Sequence, residues 1–353
     1  MSTPVGPSPS PPSLGRRVSM AAVMGLTGII AKCFLYGFGR VEVIGLSRFL
    51  EVLDARRDPE RRDRGLITVS NHQSVLDDPL MWGVLPLRYM FEPTALRFGL
   101  GAHDICFRNK LFSTFFTHGQ VLPVHRYQHS PHGGLFQPTM TTAIRLLSSP
   151  APPLPAARHA WIHVFPEGMV HQDHAASDLR YFKWGVARLL LEAEPRAPDV
   201  VPVFLDGTQA LMPEARGFPR LVPRGFGARV RVAFGDPVDG EAAFGDLRRR
   251  WRELVRRREE EGGGEAAGMG KGRTGVLEDD ELRYGDEARR LRVEAARRVR
   301  EEVLKLRRGL GGYAEADEAL GRAETWTRDE VWRDAREERY TRSRVEGSRV
   351  EQD

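Results

Sequence analysis

The spacing of apolar and polar positions divides the chain into an apolar N-terminal stretch, a middle of short apolar runs, and a charged C-terminal third. Residues 20–38 are apolar apart from Thr27, Lys32 and Tyr36. Only about a dozen charge-free residues precede Lys32, short of the roughly 20 needed to cross a bilayer. The segment is therefore expected to lie in the interface of one leaflet, with Lys32 and Arg40 snorkelling to anionic headgroups. A buried core helix is the alternative. Residues 40–44 alternate as a strand does, and residues 56–64 read as a charged surface loop with five arginines. Strand-like runs follow at 65–70, 88–91, 119–126, 161–165, 200–204 and 229–234. Between them come helical stretches at 76–84, over Met140, Ile144 and Leu147, and at 182–191. Strands separated by helices predict an α/β fold, a mixed sheet flanked by helices.

Beyond residue 240 the pattern becomes purely helical and basic. Residues 247–261 form an arginine-rich helix, and 262–275 a Gly-rich stretch that reads as an insertion. Residues 286–308 carry Leu291, Ala295, Val299, Val303 and Leu306 on one face, so this helix either docks on the domain or lies on an anionic membrane. The expected organisation is a disordered N-terminus (1–19, Pro-rich and acid-free), a membrane-interfacial segment (20–39) and an α/β domain (40–240). The basic helix with its insertion (241–285) and a final helix with a loose tail (286–353) complete it.

Composition adds two constraints. A net charge of +5 suits an acidic partner, either anionic lipid or nucleic acid, without choosing between them. The two cysteines, Cys33 and Cys106, are far apart and lack metal-ligand spacing, so neither a disulfide framework nor a metal site is expected.

The chemistry concentrates directly after the 65–70 run, in Asn71-His72-Gln73-Ser74-Val75-Leu76-Asp77-Asp78-Pro79. This is the only histidine in the chain followed five residues later by an aspartate. Residues five apart are rotated by about 140° on an ideal helix, so His72 and Asp77 cannot meet on one helical face. They can meet if His72 sits in the loop leaving a strand and Asp77 in the first turn of the next helix. The carboxylate would then fix one ring nitrogen and leave the other to take a proton from a hydroxyl.

As a nine-residue pattern this stretch resembles the first motif of the glycerophospholipid acyltransferase family. Its Gln73 and doubled aspartate are similar to that family's phospholipid–lysophospholipid transacylases. The run ending in Arg126 is similar to the second motif, Phe165-Pro166-Glu167-Gly168 to the third, and residues 200–204 with Pro202 to the fourth. The resemblance implies His72 and Asp77 as catalytic residues, with Asn71, Ser74, Arg126, Glu167, Gly168 and Pro202 binding substrate. Arg126 would hold a lipid phosphate, Glu167 would accept hydrogen bonds from substrate hydroxyls, and Pro202 would shape an acyl-binding wall. Relatives that acylate glycerol phosphate continue the third motif with Thr-Arg-Ser, whereas Met169-Val170-His171 stands here, which argues against a small free-phosphate substrate.

The implied activity is transfer of acyl chains from phospholipids such as phosphatidylcholine to monolysocardiolipin, remodelling cardiolipin without a cofactor. It would take place at mitochondrial membranes, with a monotopic protein facing the intermembrane space. An acyl-CoA-dependent lysophospholipid acyltransferase shares the dyad and is the rival enzyme reading. A basic membrane- or nucleic-acid-binding protein is the rival from another class. It leaves the His72–Asp77 pattern unexplained, and no nucleic-acid module is recognisable.

Overall fold

In a computed structural model of the chain, the described residues are 13–126, 129–148, 159–172, 178–213, 225–262 and 274–323. Most of the Gly-rich stretch, the tail after 323, residues 1–12 and the predicted break after Ser148 lie outside them. The first half comprises α1 (Leu14–Phe38), β1 (Gly39–Ile44), α2 (Leu46–Ala55), β2 (Leu66–Ser70), α3 (Asp77–Leu80), α4 (Leu87–Met90), β3 (Gly99–Ala102), α5 (His103–Cys106), α6 (Lys110–His118) and β4 (Val121–Val124). The second comprises α7 (Pro138–Leu147), β5 (Trp161–Val164), α8 (Gly185–Glu192), β6 (Asp199–Asp206), α9 (Thr208–Leu211), β7 (Ala228–Phe234), α10 (Gly240–Gly262), α11 (Asp280–Tyr284) and α12 (Asp286–Leu310).

Five strands form one sheet in the order β1-β7-β6-β2-β5, parallel except where β7 meets β6. The central strands are continuous apolar runs because both faces are covered. On β6, Val201, Val203 and Leu205 enter the core under α1 and α2, while Val200 and Phe204 enter the core under α8, α10 and α12. Aromatic stacking ties the first core together: Phe49 lies flat on Phe234 at 4.6 Å and meets Trp161 edge-on at 5.5 Å. A separate parallel ribbon of β3 and β4 adjoins β5 through a bridge between Phe98 and Ile162.

Several expectations are corrected. Residues 88–91 are helical rather than a strand, since Leu87–Met90 forms α4. Residues 14–19 belong to α1, whose N-terminus is capped by the Ser13 hydroxyl, so they are helical where disorder was expected. The apolar segment is one 25-residue helix packed on the domain through Gly25, Gly28 and Ala31; a Cβ on Gly25 or Gly28 would collide with Phe91 or Met90. Lys32 does not snorkel outward: its ammonium donates to the carbonyls of Gly83 (3.0 Å) and Leu85 (3.2 Å). The core does not end at residue 240 either, because α10 and α12 contribute Trp251, Leu291, Val299 and Val303 to it.

Those helices dock through arginines as well as apolar side chains. Arg248, on α10, donates to the carbonyls of Leu190 (2.6 Å) and Leu191 in the last turn of α8. Arg292, on α12, bonds Leu282 and Arg283 in the last turn of α11. The last carbonyls of a helix have no partner within it and carry the negative end of its dipole, so a buried guanidinium satisfies both needs at once. The 56–64 segment works similarly, with Arg62 buried and bonded to the carbonyls of Arg56 and Thr94, so it is more than a surface loop.

Arg188 and Glu192, both 1% exposed, form a two-pronged pair on α8 with contacts of 2.6 Å, while Arg188 also reaches the carbonyls of Leu135 and Gly275. Removing one partner strands a buried charge, so Glu192→Ala is expected to destabilise the fold by about 3–5 kcal/mol. Denaturant unfolding of detergent-purified protein checks this; a change within 0.5 kcal/mol or so of wild type would contradict the role given to the pair.

Candidate active site

β2 delivers the dyad. Its five residues are buried between β5 and β6, and the chain leaves the sheet at Asn71. Asn71 extends the ladder by one step with its side chain: its carbonyl oxygen accepts the Leu205 N–H and its NH2 donates to the Leu205 carbonyl, both at 2.8 Å. The amide is thereby committed to the sheet, in place of the substrate contact expected of it.

His72 follows in the loop, and Asp77 begins α3, the loop-then-helix arrangement that five-residue spacing demands. Asp77 Oδ2 lies 2.9 Å from His72 Nδ1 and also accepts the N–H groups of Gln73 (2.6 Å) and Ser74 (2.9 Å). A carboxylate of this kind only accepts, so the proton is on Nδ1 and Nε2 carries the lone pair. Ser74 is fully buried and its hydroxyl accepts the Leu76 N–H, which shapes the turn. Asp77 is buried, whereas the His72 side chain keeps 20% of its surface open.

The His72 ring stacks on Phe165 at 4.1 Å. Below it, the Trp161 indole donates to Thr68 Oγ1, which lies 2.9 Å from His163 Nδ1. Burial first, then the nearby Arg97 and His72, push His163 well below the usual imidazole range, so it is neutral. Arg97 pairs with Asp78, lies over the Trp82 ring and has its pKa pushed down to about 9 by burial. The second aspartate therefore anchors the start of α3 to the segment entering β3.

The third motif turns tightly after β5. Gly168 adopts φ +68°, a conformation that favours glycine, and donates its N–H to Phe165 O. Glu167 is 1% exposed, and its Oε1 accepts the His72 N–H at 3.2 Å. Burial pushes its pKa up to about 8, against the opposing influence of the His72 N–H, Arg180 and Arg300. On the far side of the turn Lys183 bonds Pro166 O through its N–H, and its side chain lies across Gly168.

Two expected site residues lie elsewhere. Arg126 follows β4 on the ribbon, where its guanidinium grips Asp104 through both nitrogens, so a lipid phosphate would have to displace that carboxylate. Pro202 is buried opposite Val69, with its ring near Gly235 on the face covered by α12. It packs the core there and does not line an open acyl wall. Residues that the motifs did not flag include His163, Thr68, Arg97 and Gln172, whose side chain bridges the carbonyls of Gln73 and Met212. Thr68 and His163 carried a signal, as polar positions within otherwise apolar strands.

A family model described as Acyltransferase matches residues 47–206. The tafazzin of Saccharomyces cerevisiae is 32% identical over 329 residues, covering 86% of this chain and 81% of that protein. The chain belongs to the tafazzin family. Drosophila melanogaster tafazzin is 35% identical over 65% of this chain and 53% of its own length. An Arabidopsis thaliana N-acylphosphatidylethanolamine synthase is 38% identical over 49% of this chain and 56% of its own length. Among solved structures, the 1-acyl-sn-glycerophosphate acyltransferase of Thermotoga maritima aligns with a TM-score of 0.42 at 21% identity, covering 70% of this chain and 80% of that one. With its acyltransferase domain, this tafazzin-family chain is a phospholipid acyltransferase.

If His72 is the base, His72→Ala should lower turnover by roughly 10²- to 10⁴-fold. Asp77→Asn should also be severe, because the amide cannot accept from Nδ1 and the backbone amides in the same way and cannot stabilise an imidazolium. Initial rates of acyl transfer by folded variants check this, and near wild-type turnover in His72→Ala would remove His72 from the chemistry.

Proposed function

We propose that this tafazzin-family enzyme is a CoA-independent transacylase that moves acyl chains from phospholipids such as phosphatidylcholine to monolysocardiolipin, forming cardiolipin. The observation that carries the chemistry is the His72–Asp77 contact with Nε2 left as the base. The lysolipid hydroxyl gives its proton to Nε2 as its oxygen attacks the donor's ester carbonyl carbon. The tetrahedral intermediate then expels the donor's glycerol oxygen, which takes the proton back from Nε2. One oxygen ester breaks and one forms, so the exchange is close to isoenergetic and reversible. The choice of lipids, and a mitochondrial membrane facing the intermembrane space as the location, rest on the motif resemblance.

Delivery of both substrates from a bilayer is supported by the surface around the dyad. Val75, within the dyad loop, is exposed, as are Leu87 and Phe91 after α3, Ile105 and Leu111 beside β3 and β4, and Leu26 and Ile30 on α1. α1 contacts α3, α4 and α6, so these side chains occupy neighbouring elements. The nucleic-acid reading is weakened because many C-terminal arginines are already paired with acids, among them Arg252 with Glu194, Arg258 with Asp279 and Arg298 with Asp246.

The α1 helix is long and apolar enough to cross a membrane by length and composition. Its fully buried contacts begin at Met24, however, and Met20, Ala21 and Val23 are half-buried, leaving residues 14–19 exposed, about 9 Å of helix against a hydrocarbon core of about 30 Å. This docking supports insertion into one leaflet. In sealed vesicles, tags placed before residue 14 and after residue 310 should show equal protease accessibility; protection of one tag alone would establish a crossing.

The transacylase reading itself is tested with purified protein in CoA-free vesicles. Labelled acyl chains should pass from phosphatidylcholine to monolysocardiolipin and, from labelled cardiolipin, back to lysophosphatidylcholine. Strict dependence on added acyl-CoA would favour a CoA-dependent lysophospholipid acyltransferase instead.

A further inference from the structure

We infer that Glu167 is a positioning residue that holds the main chain of His72, and that the turn from Glu167 to Gln172 is a clamp on the catalytic base rather than a substrate-binding loop. The inference rests on the acyl-transfer reading above for the role of His72, but its geometry is independent of which lipids react.

The clamp grips both main-chain groups of His72. Glu167 Oε1 takes the His72 N–H at 3.2 Å, and the N–H of His171 donates to the His72 carbonyl at 2.8 Å. One residue further, the Gln172 side chain donates to the Gln73 carbonyl at 2.9 Å and to Met212 O at 3.1 Å. Phe165, immediately before the turn, presses on the imidazole ring itself. Main chain, following peptide and ring are thus each held by residues 165–172, while Asp77 holds Nδ1.

The burial of the carboxyl group excludes a direct role with substrate. At 1% exposure Glu167 offers no surface to a lipid hydroxyl, whereas Gly168 beside it is open. Beyond the His72 N–H, the carboxyl is acted on by the Arg180 main-chain N–H and lies 4.0 Å from His171 Nδ1, so it is a buried acceptor among main-chain donors. The His171 contact is made by its main-chain N–H, so it depends on the path of the turn and not on the Met169-Val170-His171 side chains.

The charged and titratable groups around Glu167 are His72 and His171 on the clamp and dyad, Arg180, Lys183 beside Gly168, and Arg300 from α12. Against them burial prevails and raises the folded-state pKa from an ordinary 4.5 to about 8. A raised value means the neutral group's contribution to stability is complete below the unfolded-state value and is lost as pH rises through the folded-state one. Glutamine is a neutral acceptor of the same shape and should replace it.

The test compares Glu167→Gln and Glu167→Ala in the full chain. Glu167→Gln should keep kcat within about threefold of wild type, whereas Glu167→Ala should lower kcat by about 10²-fold with KM unchanged, the cost of a base displaced by an ångström or so. A rise in KM, or an equal loss in both variants, would make Glu167 a substrate ligand or an ionised participant and overturn the inference. A readout that needs no substrate is the proton resonance of His72 Nδ1–H in histidine-labelled protein. It should persist in Glu167→Gln and broaden or vanish in Glu167→Ala; persistence in both would equally overturn the inference. Should wild type transfer no acyl chains without CoA while that resonance responds as expected, the transacylase reading fails and the clamp stands. Should Glu167→Ala not fold, the melting temperature of wild type must still fall relative to Glu167→Gln between pH 5 and pH 9, and parallel curves would refute a buried neutral carboxyl.

Discussion

A single carboxylate oxygen organises the site. Asp77 Oδ2 draws together the His72 ring and the N–H groups of Gln73 and Ser74, closing residues 72–77 into a loop whose shape is set by one acceptor. Charge-assisted bonds of this kind are about twice as strong as neutral ones, and three converging on a buried atom leave little freedom for the ring. The loop has nowhere else to go: Asn71 pins its start to Leu205, and Asp78, paired with Arg97, pins its end. A histidine held in this way has its tautomer and direction fixed before substrate arrives, which is the condition for efficient general-base chemistry.

Legibility in the sequence followed how local each interaction is. The five-residue spacing of His72 and Asp77 required a loop followed by a helix turn, and that is the arrangement found. The central strands announced themselves by continuous apolar runs, and α12 by its apolar face. Residues 88–91 misled because a four-residue, largely apolar segment is too short to separate a strand from a single helical turn. Asn71, Glu167 and Pro202 were assigned by motif to substrate, yet their contacts are with Leu205, His72 and the core under α12. A motif records which residue types recur together near a reaction. It does not record whether each faces the lipid or the backbone that holds the base, because that depends on partners more than ninety residues away, as with Glu167 and His72.

The same limit applies to the cations. From composition, Lys32 and the C-terminal arginines suggested anionic lipid, since exposed positive charge is the commonest use of these side chains. In the folded chain Lys32, Arg62, Arg248 and Arg292 instead bond main-chain carbonyls at turns and helix ends. Their long stems reach these groups from a neighbouring element, and the guanidinium's several donors satisfy more than one carbonyl at a time. Sequence alone does not show this, because the carbonyls that need partners are defined only after the helices have assembled.

A further arginine connects the C-terminal helix to the surroundings of His72. Arg300, on α12, bonds the carbonyls of Leu179 and Arg180 and adds its charge to the surroundings of Glu167. Glu167 in turn holds the main chain of His72, and α12 covers the face of β6 that carries Pro202. A helix more than two hundred residues from His72 is thus part of the scaffold around that side chain. The Arg300 charge opposes the rise in the Glu167 pKa, so α12 brings to this carboxyl a positive group that works against the burial holding it neutral. The C-terminal third therefore belongs to the catalytic domain both by packing and by electrostatics, although its composition reads as a separate basic extension.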